Sequence, residues 1–181
     1  MQRNGRFSSL AREVLISAQH EADDRRHNMI DTDHIVLAMV SQVTSVGAPK
    51  ALRDCGADYE RMSYLVGWNP YETSSKRLEL TRDAKRMLEL AVVEMQRQSE
   101  QHVTVEHLLI GMLQLDTCEG VVLLSQVACD MPRLYAMMDV SLPEQFVEPE
   151  PTPMEQMNIQ DNTGCLPMLR TRFKQLFEKR K

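Results

Sequence analysis

The chain has 181 residues, of which 43% are hydrophobic and 26% charged, with a net charge of −5. That length suits one domain of ordinary size with a tail, and at ~150 residues a domain buries roughly two thirds of the surface its unfolded chain exposes, so a core needs neither disulfide nor metal. No window approaches the ~18 apolar residues of a membrane span, the opening MQRNGRFSS lacks the apolar stretch of a signal peptide, and an acidic balance argues against nucleic acid as a partner.

In chain order, the first helix is predicted near 8–25. Phe7, Ala11, Val14, Leu15, Ala18 and Ala22 follow a 4-3-1-3-4 spacing, one face of an α-helix, and Ser8 stands where an N-cap belongs. Asn28 breaks the pattern; further helices are predicted near 32–42, 47–55 and 58–66, with Gly56 as a stop. GWNPYETSSK (67–76) is polar and turn-forming and reads as a connection. Beyond it the text repeats. At a shift of 73 the first-helix face falls on Leu80, Ala84, Met87, Leu88, Ala91 and Met95, with Thr81 in the place of Ser8. The same shift lays Asp33 and His34 on Glu106 and His107, and Met39 on Met112; CGAD (55–58) meets VACD (127–130) after one residue is dropped. The second set of helices is predicted near 81–99, 104–115, 119–128 and 131–138. No segment shows the period-2 alternation of a strand. The fold class is therefore all-α, two tandem four-helix repeats packed together.

After Val140 the character changes. SLPEQFVEPEPTPMEQ is rich in proline and glutamate and reads as an extended linker. LPMLRTRFKQLFEKRK then regains helical spacing, with six Lys/Arg against one Glu, which leaves the preceding 165 residues at −10. The expected organisation is a duplicated domain over 6–139 (repeat one 7–66, repeat two 80–138), a Pro/Glu linker over 140–165, and a basic amphipathic helix over 166–181. That tail helix is expected to dock on a protein partner through Leu169, Arg170, Phe173, Lys174, Leu176 and Phe177; its charge is a small footprint for a membrane or nucleic acid. The cysteines, Cys55, Cys118, Cys129 and Cys165, are scattered, without C-x-x-C pairs or zinc spacing. They read as reduced thiols, with Cys55 and Cys129 packed as small hydrophobes. No cofactor or metal is expected.

FSSLAREVLISAQHEA followed by HNMIDTDHIVLAMV resembles the amino-terminal domain of the Clp AAA+ unfoldases, whose signature is F-T-x-x-A-x-x-V-L and then H-N-x-I-G-T-E-H-I-L-L-G-L. LTRDAKRMLELAVVEM with VTVEHLLIGML is similar to the second repeat of that domain, so the resemblance spans roughly residues 6–138. It implies a pseudo-twofold bundle of eight helices that binds substrates or adaptors for a proteolytic machine. Glycine occurs only at 5, 47, 56, 67, 111, 120 and 164, and none precedes a lysine. The chain therefore carries no G-x-x-x-x-G-K-[ST] phosphate loop.

The repeated acid–histidine phrase has two readings. Structurally, Thr32 and Thr104 are expected to cap their helices, placing Asp33 and Glu106 in first turns where the helix dipole favours negative charge. His34 and His107 are then neutral, hydrogen-bonded core residues. The resemblance implies a second role: in Clp-C-type members the acid of T-E-H helps bind phosphoarginine on tagged substrates. A carboxylate can take two hydrogen bonds from a guanidinium, and a helix N-terminus with a hydroxyl can receive a phosphate. Carried over by position, one site would be Ser8 and Asp33 with Arg6 alongside, and the other Thr81 and Glu106. Asp33 is a methylene shorter than the family's glutamate, and Glu79 brings negative charge near Thr81.

Catalysis is not expected, because the hydroxyls serve as caps, the acids as dipole partners, and no glycine-rich oxyanion loop is present. Met87, Met95 and Met112 lie on apolar faces and read as core. The expected function is a non-catalytic protein-interaction module, an adaptor or accessory subunit of a Clp-type ATP-dependent protease. Its partners would be Clp ATPase or peptidase subunits, or their substrates and adaptors, in the cytoplasm, or in the plastid stroma if the chain is plant-derived. The rival reading is a regulator or scaffold that keeps the fold outside proteolysis and uses its basic tail to dock.

Overall fold

Ser8 sits in extended conformation and accepts the Ala11 N–H on its side chain at 3.2 Å, which starts α1 (Ser9–Asp24). Thr81 does the same for α5 (Arg82–Arg97), accepting the Ala84 N–H at 3.1 Å. The computed structural model describes residues 6–70, 78–143 and 146, all within Met1–Val147, the first of two units; the second is Glu148–Lys181. The remaining helices of repeat one are α2 (Thr32–Ser41), α3 (Gly47–Asp54) and α4 (Tyr59–Val66). Repeat two adds α6 (Val105–Leu113), α7 (Glu119–Gln126) and α8 (Met131–Met137). All eight lie within a residue or two of the segments expected from hydrophobic spacing. The linker beyond 146 and the basic tail, with Leu169 to Phe177, fall outside the described residues, as do 71–77 of the connection.

The duplication reaches into the stops. Arg26 and Ser99, related by the 73-residue shift, follow α1 and α5 in the left-handed region (both φ 57°). Gly56 (φ 93°) and Ala128 (φ 59°) hold the equivalent place after α3 and α7. Glycine enters that region without cost, whereas alanine's Cβ crowds the following carbonyl.

Two short β-pairings were not expected from the sequence. β1 (Met29–Ile30) runs parallel to β2 (Glu79–Leu80), with Ile30 opposite Leu80, and Phe7 bridges in parallel to Val103. Each is too short to display an alternation, and each joins opposite repeats. Exchanging the repeats turns the Ile30–Leu80 pair into Val103–Phe7, so the pairings obey the pseudo-twofold relation. Ser8 N–H donates to Val103 O, Val103 N–H to Arg6 O and Thr81 N–H to Ile30 O, each at 2.9 Å.

The repeats share one core rather than two. α1 packs on α2 and α5 on α6 within repeats, while α2 meets α7, α3 meets α6 and α8, and α4 meets α7 across them. Met39, Met62, Met87 and Met112 are wholly buried in this core, and Met95 nearly so. At the α5–α6 crossing a Cβ on Gly111 would stand 2.6 Å from Met87 O and 2.9 Å from Ala91 N, so only glycine permits this approach. Cys55, Cys118 and Cys129 are buried, and burial raises all three thiols above their ordinary pKa, Cys129 to about 12. Among the described residues no helix is long and apolar enough to cross a membrane.

Candidate functional site at the crossed repeat edges

The acid–histidine phrase opens α2 and α6. In α6, Thr104 is the N-cap, and its own N–H donates to Nδ1 of His107 at 3.0 Å. In α2, the equivalent N–H of Asp31 donates to Nδ1 of His34 at 3.1 Å. Histidine therefore fills the third helical position of a capping box, the place usually given to Glu or Gln. This is why the histidine is written twice: its ring closes the first turn while its carbons join the core, and both histidines are buried, at most 2% exposed.

Thr32 is not the cap of α2. Asp31 takes that role, accepting the Thr32 N–H at 2.6 Å, and it is Asp31 that stands in register with Thr104. Thr32 is instead fully buried, and its Oγ1 accepts the N–H of Gly120 in the first turn of α7 at 3.0 Å. The mirror task, holding the first turn of α3, is done by Glu106, whose Oε1 accepts the Ala48 N–H at 3.1 Å. Each repeat thus ties down the third helix of the other, with a hydroxyl on one side and a carboxylate on the other.

Asp33, the register mate of Glu106, is turned to its own helix. Its Oδ1 accepts the His34 N–H at 2.6 Å and lies 2.7 Å from His34 Nδ1. Burial pushes the Asp33 carboxyl up, but the hydrogen bonds and charge of His34 outweigh it and hold the group below its ordinary pKa. Beyond it, His34 Nε2 and His27 Nδ1 are 2.7 Å apart, forming a chain Asp33–His34–His27. Repeat two lacks this extension: Glu100 replaces His27 in register, and Nε2 of His107 is buried without a hydrogen-bond partner.

The crossed strands regroup the residues expected to bind a ligand. Arg6 and Ser8 lie beside Val103, at the start of the helix that carries Glu106. Thr81 lies beside Ile30, at the start of the helix that carries Asp33. The backbone therefore places Ser8 beside the start of the Glu106 helix and Thr81 beside the start of the Asp33 helix, each across the repeats. The two hydroxyls already accept helix N–H groups, but their protons remain available to donate.

Next to Ser8 a shallow groove is lined by Arg6, Phe7, Leu88, Glu89 and Val92. Its walls come from the leading edge of repeat one and the first helix of repeat two, its exposed lining is mostly apolar, and Arg6 and Glu89, the latter paired with Arg86 at 2.9 Å, are the charged residues at its edge. Sequence reasoning did not single out Phe7, Leu88, Glu89 or Val92 for binding. The available signal was Val92 at i+4 from Leu88, widening the apolar stripe of α5 beyond what one core face requires. Among the described residues no three His, Cys, Asp or Glu side chains are placed to hold a metal ion.

The family model of the Clp repeat (R) N-terminal domain matches residues 6–127. The chain belongs to this Clp repeat family. It is 33% identical over 114 residues to Chaperone protein ClpB of Oceanobacillus iheyensis, covering 61% of this chain and 14% of that protein. Identity and coverage are the same against the negative regulator of genetic competence ClpC/MecB of Bacillus subtilis. The chain thus spans about a seventh of the curated Clp relatives it matches. In fold it is similar to the N-terminal domain of the caseinolytic protease associated chaperone ClpD from Arabidopsis thaliana, with TM-score 0.56, 21% identity, and coverage of 74% of this chain and 94% of that one. The Clp repeat match ends at α7, whereas the duplicated architecture continues through α8.

Proposed function

We propose that this Clp repeat domain is a non-catalytic interaction module, an adaptor or accessory subunit of a Clp-type ATP-dependent protease, which binds peptide segments of substrates or a Clp partner in the cytoplasm or plastid stroma. The observation that carries this reading is the groove of Arg6, Phe7, Leu88, Glu89 and Val92 beside the Ser8 helix start. An apolar floor takes a hydrophobic side chain of an extended segment, while Arg6 engages an acidic or carbonyl group beside it. The functional hydroxyls and acids are occupied in caps, which suits a rigid gripping surface and leaves no activated nucleophile.

A phosphoarginine-type ligand is a finer version of the same proposal. Arg6 and the Ser8 hydroxyl would meet a phosphate at the α1 N-terminus, and the Glu106 oxygen not engaged with Ala48 would meet the guanidinium. Thr81 and Asp33 would form the second, weaker site, because Asp33 is committed to His34 and Glu79 lies adjacent in sequence.

Titration calorimetry with free phosphoarginine and with an unstructured apolar peptide tests both levels. Both ligands are expected to bind, and Arg6→Glu, an exposed change, is expected to weaken phosphoarginine by about tenfold, the worth of one charged hydrogen bond. No heat from phosphoarginine at millimolar concentration would end the finer reading, and no binding of either ligand would end the groove as a binding surface.

A further inference from the structure

Cys55, Cys129 and Met137 lie where repeat one's third helix ends against repeat two's fourth. Cys55 is the C-cap of α3, and Cys129 immediately precedes Asp130, the N-cap of α8. The backbones beside them are bonded directly: Asp130 N–H donates to Cys55 O at 2.8 Å, and a Cβ on Gly56 would be 3.9 Å from Ala128 O. Cys55 Sγ donates to Met137 Sδ at 3.8 Å. Both cysteines are free thiols, 4% and 7% exposed, while Met137 is 47% exposed and forms the outer rim of the cluster.

From this geometry we propose that Cys55 and Cys129 are an oxidisable pair, which a hydroperoxide converts into a disulfide joining the two repeats. A backbone hydrogen bond between the residues' neighbouring peptide groups keeps the two chains within the span that a disulfide bridges. Burial, and then the charges of Cys55 and Asp130, raise the Cys129 thiol. Cys55 is the attacking sulfur. Burial and the Asp130 and Asp54 carboxylates raise its pKa, and the Arg133 guanidinium, held by Asp54 O at 3.4 Å, offsets part of that rise.

The steps balance. The Cys55 thiolate attacks one peroxide oxygen, forming S–O and breaking O–O; the departing oxygen takes a proton and leaves as water or alcohol, with Cys55 as sulfenic acid. The Cys129 sulfur then attacks the Cys55 sulfur, forming S–S and breaking S–O, and hydroxide leaves with the Cys129 proton as water. Two thiols lose two electrons in total and one hydroperoxide gains them. The residues are 74 positions apart, so the closed loop spans much of the duplicated domain and restricts its unfolded state.

The test is graded hydrogen peroxide on the full chain, followed by non-reducing peptide mapping by mass spectrometry and thermal unfolding. The expected result is a Cys55–Cys129 linked peptide pair, two hydrogens lighter than the separate peptides and restored by dithiothreitol. The unfolding midpoint should rise by roughly 5 °C or more in the oxidised wild type, with no rise in Cys129→Ala. Peroxide that oxidises Met137 but leaves both thiols, or that takes Cys55 to sulfinic acid without a linked pair, would overturn the proposal. The mapping on the wild-type chain decides this even if Cys129→Ala folds poorly.

Discussion

Glu106 Oε1 accepts the Ala48 N–H at 3.1 Å, so a carboxylate of the second repeat caps the third helix of the first. Gly47, immediately before Ala48, has φ 76°, and a Cβ there would collide with the same carboxylate oxygen. Glu106→Ala is therefore expected to lower the unfolding free energy by about 1 kcal/mol, the usual worth of an N-terminal cap. Glu106→Gln, whose amide oxygen can still accept, should lose less. Urea unfolding measures both, with the midpoint shifting at constant slope.

The counterpart contact, Thr32 Oγ1 with Gly120 N–H, is fully buried and less forgiving. Thr32→Val keeps the shape but leaves the amide unsatisfied, at about 1–3 kcal/mol; Thr32→Ser should cost less. Gly120→Ala would set a methyl 2.6 Å from Met112 Sδ and 2.9 Å from Thr32 O, an overpacking expected to cost about 1–3 kcal/mol. Chemical denaturation of the three variants should rank Thr32→Ser above the other two.

Ala128 occupies the left-handed turn that Gly56 fills in repeat one. Ala128→Gly should stabilise the domain by roughly 0.5–1 kcal/mol, because relief of the Cβ strain exceeds the entropy that glycine adds to the unfolded chain. Gly56→Ala should destabilise by a similar amount. Opposite shifts in thermal midpoint are the expected readout, and the same sign for both would contradict the duplicated stop.

Acid sensitivity follows from Asp33 and Glu94. Burial pushes Asp33 up, but His34 outweighs it and leaves the carboxyl below its usual value; the Arg97 guanidinium lowers Glu94. A carboxylate depressed in the folded state stabilises fully above its unfolded pKa, about 3.9 for Asp and 4.3 for Glu. That stability is lost as pH falls through the lower folded value. Stability is therefore expected to drop below about pH 4 and to be level with respect to these two groups at neutral pH. Asp33→Asn should reduce stability at neutral pH and make the acid limb shallower, with Asp33→Asn/Glu94→Gln shallower still, as followed by urea midpoints across pH.

What the sequence discloses here depends on the length of its patterns. The 4-3-1-3-4 faces of α1 and α5 each run over sixteen residues, and the 73-residue shift makes one confirm the other. The crossed strands are two residues or fewer per side, below any period, and their partners lie in opposite repeats, so spacing alone cannot reveal them. Spacing for the same reason does not show that Ser8 lies beside Val103, at the start of α6. A threonine precedes the acid–histidine pair in both repeats, which makes Thr32 look like a cap, but Thr104 aligns with Asp31, one residue earlier than Thr32. The groove was not apparent because Phe7 and Val92 come from different repeats and meet only after the edges cross.

The central claim is a passive gripping module for a Clp machine, and affinity purification of the tagged full chain from its native host, read by mass spectrometry beside Arg6→Glu, tests it most directly. The expected result is enrichment of Clp ATPase or Clp peptidase subunits with the wild type and their depletion with Arg6→Glu, whose exposed side chain at the groove edge is the only change. Recovery of neither Clp component, or equal recovery with both chains, would contradict it.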